Sequence, residues 1–198
     1  MSANDLKILA LPGAMRSDSW NRKLLSVAAA LAREAGAEVT TVDLREYAIP
    51  LYDGDAEAAH GLPAGVANLK DLFIAHDAVI IATPEYNASI SGVLKNAIDW
   101  LTRSRPGEKP LVAIRGKVIG LLAATPGKLA GVQGLIATRH ILSTLGAVVE
   151  PTHFGLAAAP AAFGADGKLI DPAHLAVVAA VVRDVMRTAG ALRVAAKH

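Results

Sequence analysis

Residues 77–101 read DAVIIATPEYNASISGVLKNAIDWL. The first seven form a short apolar run, which predicts a buried strand. Ile90, Val93, Leu94, Ala97, Ile98 and Leu101 then recur at helical spacing, with Lys95, Asn96, Asp99 and Arg103 on the opposite face. A strand feeding an amphipathic helix is half of a βαβ unit. The same alternation extends in both directions. Upstream, LKILALP (6–12) predicts a first strand, and SWNRKLLSVAAALAREAG (19–36) a helix that stops at Gly36. AEVTTVDL (37–44) predicts a second strand, a Gly- and Pro-bearing loop follows, and a helix is expected near 64–76. Downstream, KVIGLLAAT (117–125) predicts a strand and a Gly-punctuated helix to about Leu145. GAVVEP (146–151) predicts a short fifth strand, and Leu175, Val178, Val182, Val185, Ala189 and Leu192 trace a last helix after a loop of PTHFGLAAAPAAFGA character.

Five strands alternating with helices imply a parallel sheet covered on both faces. Two strand orders fit this length, the flavodoxin-like 2-1-3-4-5 and a short Rossmann sheet. No repeat or linker divides the chain, so residues 1–198 are expected to form one domain.

Of the 198 residues, 53% are hydrophobic, which favours a packed core over disorder. Formal net charge is +2, and the basic residues are scattered among 18 acidic ones, so no nucleic-acid partner is expected. The absence of cysteine excludes disulfides, thiolate catalysis and Cys-bound metals. The six histidines, His60, His76, His140, His153, His174 and His198, lack metal-ligand spacing. MSANDLKILALPG lacks the basic start and long apolar core of a signal peptide, and no run is long enough for membrane insertion, so a cytoplasmic location is expected.

In such a sheet, ligands bind beyond the carboxyl ends of the strands. Three strand-to-helix loops are unusual. GAMRSDSWN (13–21) combines a turn glycine, helix-capping serines, Arg16 and Asn21, a set suited to one phosphate at a helix N-terminus. It lacks G-x-G-x-x-G and the Walker pattern, so a mononucleotide fits better than a dinucleotide lying on this helix. Thr83-Pro84-Glu85-Tyr86-Asn87 can present backbone groups to a planar heterocycle, or can be a structural turn capped by Asn87 and Ser89. ATPGKLAG (124–131) has glycines that allow a close backbone approach. The serines sit in no G-x-S-x-G elbow, which argues against a hydrolase. Arg139 shares the spacing of Val132, Leu135, Ile136 and Leu142, a face expected to be buried, where it either snorkels to the surface or needs a carboxylate partner.

Together these motifs resemble those of the NADPH-dependent FMN reductase family. Its phosphate loop, G-S-x-R-x-x-S-x-N, appears as Gly13-Ala14-Met15-Arg16-Ser17-Asp18-Ser19-Trp20-Asn21. Its second signature, P-E-Y-N-x-S-x-P-G-x-L-K-N-A-I-D-W, runs from Pro84 to Trp100. Its third, S-P-G-x-x-G-G, appears at Thr125–Gly131. Three departures stand out. Ala14 replaces a serine and removes one phosphate hydroxyl. Ser91 replaces a proline and is expected to loosen the turn into the helix. Thr125 and Ala130 soften the third loop.

The resemblance implies a flavodoxin-like three-layer sandwich in the order 2-1-3-4-5, with FMN as cofactor and NADPH or NADH as electron donor. It implies that Arg16, Ser19, Trp20 and Asn21 hold the FMN phosphate, and that Pro84, Glu85, Tyr86 and Asn87 line the ring. Thr125 and Gly127 would approach from the other side. It further implies transfer to a small-molecule acceptor (quinone, chromate, azo compound or free flavin) by a ping-pong scheme, with no catalytic side chain. A homodimer or homotetramer is implied, with Arg139 in an ion pair at the subunit contact. The alternative reading is a flavodoxin-like electron carrier without nicotinamide turnover; the arginine in the loop and the pI near 9.0 count against it.

Overall fold

The computed structural model describes residues 6–195; the opening residues 1–5 and residues 196–198, including His198, lie outside the described residues. The element order is β1 (Lys7–Pro12), α1 (Trp20–Glu34), β2 (Glu38–Thr41), a 3-10 turn (Leu44–Tyr47), α2 (Gly54–His60), α3 (Ala64–Ala75), β3 (Ala78–Ala82), β4 (Glu85–Tyr86), β5 (Ser89–Ile90), α4 (Gly92–Leu101), β6 (Val118–Ala124), α5 (Val132–Thr144), β7 (Val148–Leu156), α6 (Ala159–Ala162) and α7 (Pro172–Ala195).

The main sheet is parallel in the order β2-β1-β3-β6-β7. Setting aside the small β4-β5 hairpin, this is the flavodoxin-like 2-1-3-4-5. The inner strands β3 and β6 are buried at every residue, as expected for a sheet covered on both faces. One layer of core joins Ile8, Ile80 and Leu122 to α1 and α7 through Leu24, Ala28, Val181 and Val185. The other joins Leu9, Val79, Ile81 and Leu121 to α3, α4 and α5 through Phe73, Leu94, Ile98 and Leu135. Gly120 shows how closely α7 sits: a Cβ there would lie 2.6 Å from Val185 Cγ2.

Several boundaries differ from the sequence reading. β2 covers four residues, because Asp43 caps the 3-10 turn and ends the strand. The stretch read as a loop before α3 holds α2, whose Asp53 cap accepts from Asp55 and Ala56 N–H. It is fastened to α4, where Asn96 accepts from Tyr52 N–H, and the Asn96 amide and Trp100 Nε1 both donate to Pro50 O.

The fifth strand runs to Leu156 rather than stopping at Pro151. Its register against β6 jumps from Ile119↔Val149 to Leu121↔His153, leaving extra residues around Pro151. Proline has no N–H for a ladder and is tolerated at such a bulge. Arg139 belongs to this bulge. Its guanidinium donates to the carbonyl oxygens of Val149 (3.1 Å), Glu150 (2.6 Å) and Pro151 (3.3 Å). Within the chain, the partners of Arg139 are therefore backbone carbonyls. The face expected to be buried is mixed, since Leu135 and Leu142 are buried but Ile136 is 62% exposed.

Candidate functional site

The carboxyl ends of β1, β3 and β6 lie side by side, and the three unusual loops leave the sheet there. The first begins at Gly13, whose N–H donates to Ala82 O at 2.8 Å and extends the ladder by one residue. A Cβ at Gly13 would lie 2.8 Å from Thr83 Oγ1 and 2.9 Å from Leu94 Cδ2, so glycine is required by space. Residues 15–18 are exposed, and the peptide N–H groups of residues 14–18 donate to no acceptor among the described residues. Ser19 caps α1, its Oγ accepting from Asn21 N–H at 3.2 Å. Arg16 is exposed, and no hydrogen bond or ion pair engages its guanidinium among the described residues. Free N–H groups, a helix N-terminus and a guanidinium without a hydrogen-bond partner are donors of the kind that suit an anion.

On its outer side this loop meets charge pairs. Arg22 donates to Asp43 at 2.6 Å and reaches Ala14 O at 3.5 Å. Hydrogen bonds from Arg45, then Arg22, hold the Asp43 carboxyl far below the usual carboxylate range. Lys23 pairs with Asp18 at 2.8 Å and lowers its pKa.

Trp20 and Asn21 turn away from the open part of the loop. The Trp20 ring stacks on Phe163 with centroids 5.9 Å apart and planes 13° from parallel. Lys23 Nζ lies 4.4 Å from the Trp20 centroid. The Asn21 carboxamide is buried and spans the Ala124 peptide, donating to its carbonyl at 2.9 Å and accepting from its N–H at 2.8 Å. At Leu122, two residues earlier, the carbonyl still accepts from Thr83 N–H. Alternate residues of a strand turn their peptide groups to the same neighbour. Asn21 thus takes the place of a strand where β3 has ended.

The second loop is a hairpin. Glu85↔Ile90 and Tyr86↔Ser89 pair antiparallel across Asn87 and Ala88, whose φ values are 51° and 61°. Positive φ at both turn residues is the geometry of a two-residue hairpin loop of the primed type. Thr83 and Pro84 are buried, whereas Tyr86 is 55% exposed. The Glu85 carboxylate accepts from Gly134 N–H at 2.9 Å, near the N-terminus of α5, where the helix dipole favours a negative charge. The cap of α4 is Ser91, not Asn87 or Ser89. Its buried hydroxyl accepts from Leu94 N–H at 3.3 Å and donates to Gly13 O at 2.6 Å. The substitution expected to loosen this turn instead ties the second loop to the first.

In the third loop, Thr125 is fixed through its backbone, its N–H donating to Leu156 O and its carbonyl accepting from Ala159 N–H, both at 3.0 Å. Gly127 O receives Ala158 N–H at 3.4 Å and the Thr125 hydroxyl at 3.3 Å. Residues 126–129 are exposed, and Gly131, at φ 74°, caps α5. Sequence reasoning missed the bracing by Ala158, Ala159 and Phe163, which sit in a stretch without a motif. It also missed the side-chain task of Ser91, although a serine just before a helix is a standard cap signal.

A family model described as NADPH-dependent FMN reductase matches residues 6–161. An NAD(P)H-dependent FMN reductase of Pseudomonas aeruginosa is 37% identical over 172 residues, spanning 85% of this chain and 87% of the relative. A quinone reductase of Escherichia coli strain K12 is 39% identical over 145 residues, 73% of each chain. Among solved structures, a flavoenzyme NAD(P)H:(acceptor) oxidoreductase of Paracoccus denitrificans superposes with a TM-score of 0.80 at 28% identity, covering 93% of this chain and 97% of that one. The family match runs unbroken from β1 through all three loops into α6, and the chain therefore belongs to the NADPH-dependent FMN reductase family.

Proposed function

We propose that this chain holds FMN across the three loops and, as an oxidoreductase, passes electrons from NADPH or NADH to a small-molecule acceptor. A quinone is the favoured acceptor, on the strength of the Escherichia coli relative; chromate, azo compounds and free flavin are the others the resemblance implies. The observation that carries the reading is the unengaged Arg16 beside the free N–H groups of residues 14–18 at the start of α1. Those groups suit a phosphomonoester, and Ser19 holds the helix end in place.

When bound, FMN supplies the hydride and electron chemistry itself. The protein binds and orients. Arg16 and the loop N–H groups take the phosphate. Pro84, Glu85, Tyr86 and Asn87 on one side, and Thr125 and Gly127 on the other, present backbone to the ring. Trp20 and Asn21 support these loops from behind. No side chain has to act as acid or base, and the Glu85 carboxylate is engaged by Gly134. Donor and acceptor use the same open side in turn, so initial-rate lines at varied acceptor should be parallel; intersecting lines would exclude the ping-pong scheme.

The decisive test titrates FMN and riboflavin into the protein and into an Arg16→Ala variant. Loss of one charge-assisted hydrogen bond should raise the FMN Kd about 10- to 100-fold and leave riboflavin nearly unchanged. Equal affinity of the two proteins for FMN would refute the phosphate assignment. The exposed Tyr86, Leu129, Val132 and Ile136 support a homodimer or homotetramer, which sedimentation would reveal as a species above monomer mass. Among the described residues no helix is long and apolar enough to cross a membrane. A cytoplasmic location is part of the proposal, and fractionation of cells would test it.

A further inference from the structure

Ser91 is fully buried at the start of α4, 78 residues from its partner Gly13 in the chain. Its hydroxyl has two tasks. It receives the Leu94 N–H, as an N-cap does, and it gives its proton to Gly13 O at 2.6 Å. Gly13 is also held from the other side, because its N–H donates to Ala82 O at 2.8 Å. Both polar groups of the residue that opens the anion loop are therefore set by the segment running from β3 to α4. The next residue, Ala14, is buried and has no hydroxyl, so residues 14–18 meet an anion with backbone N–H groups, the Arg16 guanidinium and the hydroxyl of exposed Ser17. A cradle built from backbone donors works only if the chain leading into it is fixed.

We propose that Ser91 is a positioning residue for the cofactor phosphate: its hydroxyl fixes the start of the 14–18 cradle and couples that cradle to the ring-lining hairpin. This rests on the reading of residues 13–19 as the phosphate loop. It concerns the phosphate half of the ligand alone, and that is what separates it from a general role in stability.

The test compares FMN with riboflavin, which lacks the phosphate, by fluorescence titration of the wild type, Ser91→Ala and Ser91→Pro. Loss of one buried hydrogen bond should raise the FMN Kd about 5- to 10-fold, with riboflavin changed by less than about 2-fold. Amide exchange at Gly13, whose N–H is bonded to Ala82 O, should quicken in both variants. Ser91→Pro guards against mere misfolding. Ser91 has φ −64° and ψ 142°, and its N–H donates to nothing among the described residues, so a proline ring fits while the hydroxyl is removed. If both variants keep the wild-type preference for FMN over riboflavin, or lose affinity for the two flavins equally, the inference is overturned. A wild type that does not prefer FMN to riboflavin would overturn the phosphate-loop reading, and the inference with it.

Discussion

Asn21→Ala separates two roles for the same residue. The family resemblance makes Asn21 a phosphate ligand, whereas the structure spends its carboxamide on the Ala124 peptide. Both residues are only 3% exposed, so water cannot replace the lost bonds. A buried donor or acceptor left unpaired costs about 1–3 kcal/mol. The substitution strands one of each, so the sum spans about 2–6 kcal/mol with its centre near about 4 kcal/mol. In a domain of this size, about 1 kcal/mol moves Tm by about 2–4 °C, so the variant should melt roughly 8–16 °C lower. Asn21→Asp should lose at least as much, since a carboxylate cannot donate to Ala124 O and meets it as a like partial charge. Thermal unfolding followed by circular dichroism measures the first effect. FMN titration well below the transition measures the second, and the Kd should rise far less than for Arg16→Ala. An Asn21→Ala protein that melts at the wild-type temperature but binds FMN tenfold more weakly would refute the reasoning, because the amide would then be serving the ligand rather than β6.

Two further predictions concern other parts of the molecule. Lys70, 1% exposed, bonds Arg103 O and the Glu108 carboxylate, and together with Arg105 it overcomes the effect of burial to hold the Glu108 pKa down to about 2 from its ordinary 4.5. A lowered carboxylate pKa contributes stability that is present above the unfolded value and lost as pH falls through the folded one. The ceiling is about 3.4 kcal/mol at 1.36 kcal/mol per pH unit, and the remaining 16% side-chain exposure brings the expectation to about 2 kcal/mol. Denaturant melts should therefore show stability falling between pH 4.5 and about 2, with this component absent in Glu108→Gln; an unchanged slope in the variant would contradict it. At Gly155, an added Cβ would lie 2.2 Å from Ala130 O, so Gly155→Ala must push the third loop from β7 and should cost about 1–3 kcal/mol, read as a lower denaturant midpoint with weaker FMN binding.

The sheet was legible because its strands carry a plain physical signal. DAVIIAT and KVIGLLAAT are apolar at nearly every position, as strands buried on both faces must be, and α1, α4 and α7 carry clear stripes. Short or irregular elements were harder to read. Pro151 ended the fifth strand on paper, yet a bulge absorbs it and Arg139 collects the freed carbonyls. The β4-β5 turn is Asn-Ala rather than Asn-Gly, so its positive φ values leave little trace in composition. α2 had an Asp cap and a Gly stop, but no apolar face to mark it, and none of its residues is buried. The three loops leave the sheet at one edge, as strand order alone dictates. Sequence did not show which atoms each side chain engages. Asn21, Glu85 and Ser91 all bear polar groups suited to a ligand, and long-range contacts of 103, 49 and 78 residues turn them to other parts of the fold.

Those three contacts divide the three loops of the candidate site into a stiff part and a free part. Asn21 joins the first loop to the third, Ser91 the first to the second, and Glu85 the second to α5 behind the third, so no loop can swing without dragging another. Adaptation to differently shaped acceptors is left to the segments outside this frame, the hairpin tip at Tyr86–Ala88 and the turn at residues 126–129. Libraries aimed at a new acceptor should be confined to those two patches and screened for FMN retention as well, because Tyr86, Asn87 and Gly127 within them also line the proposed ring site.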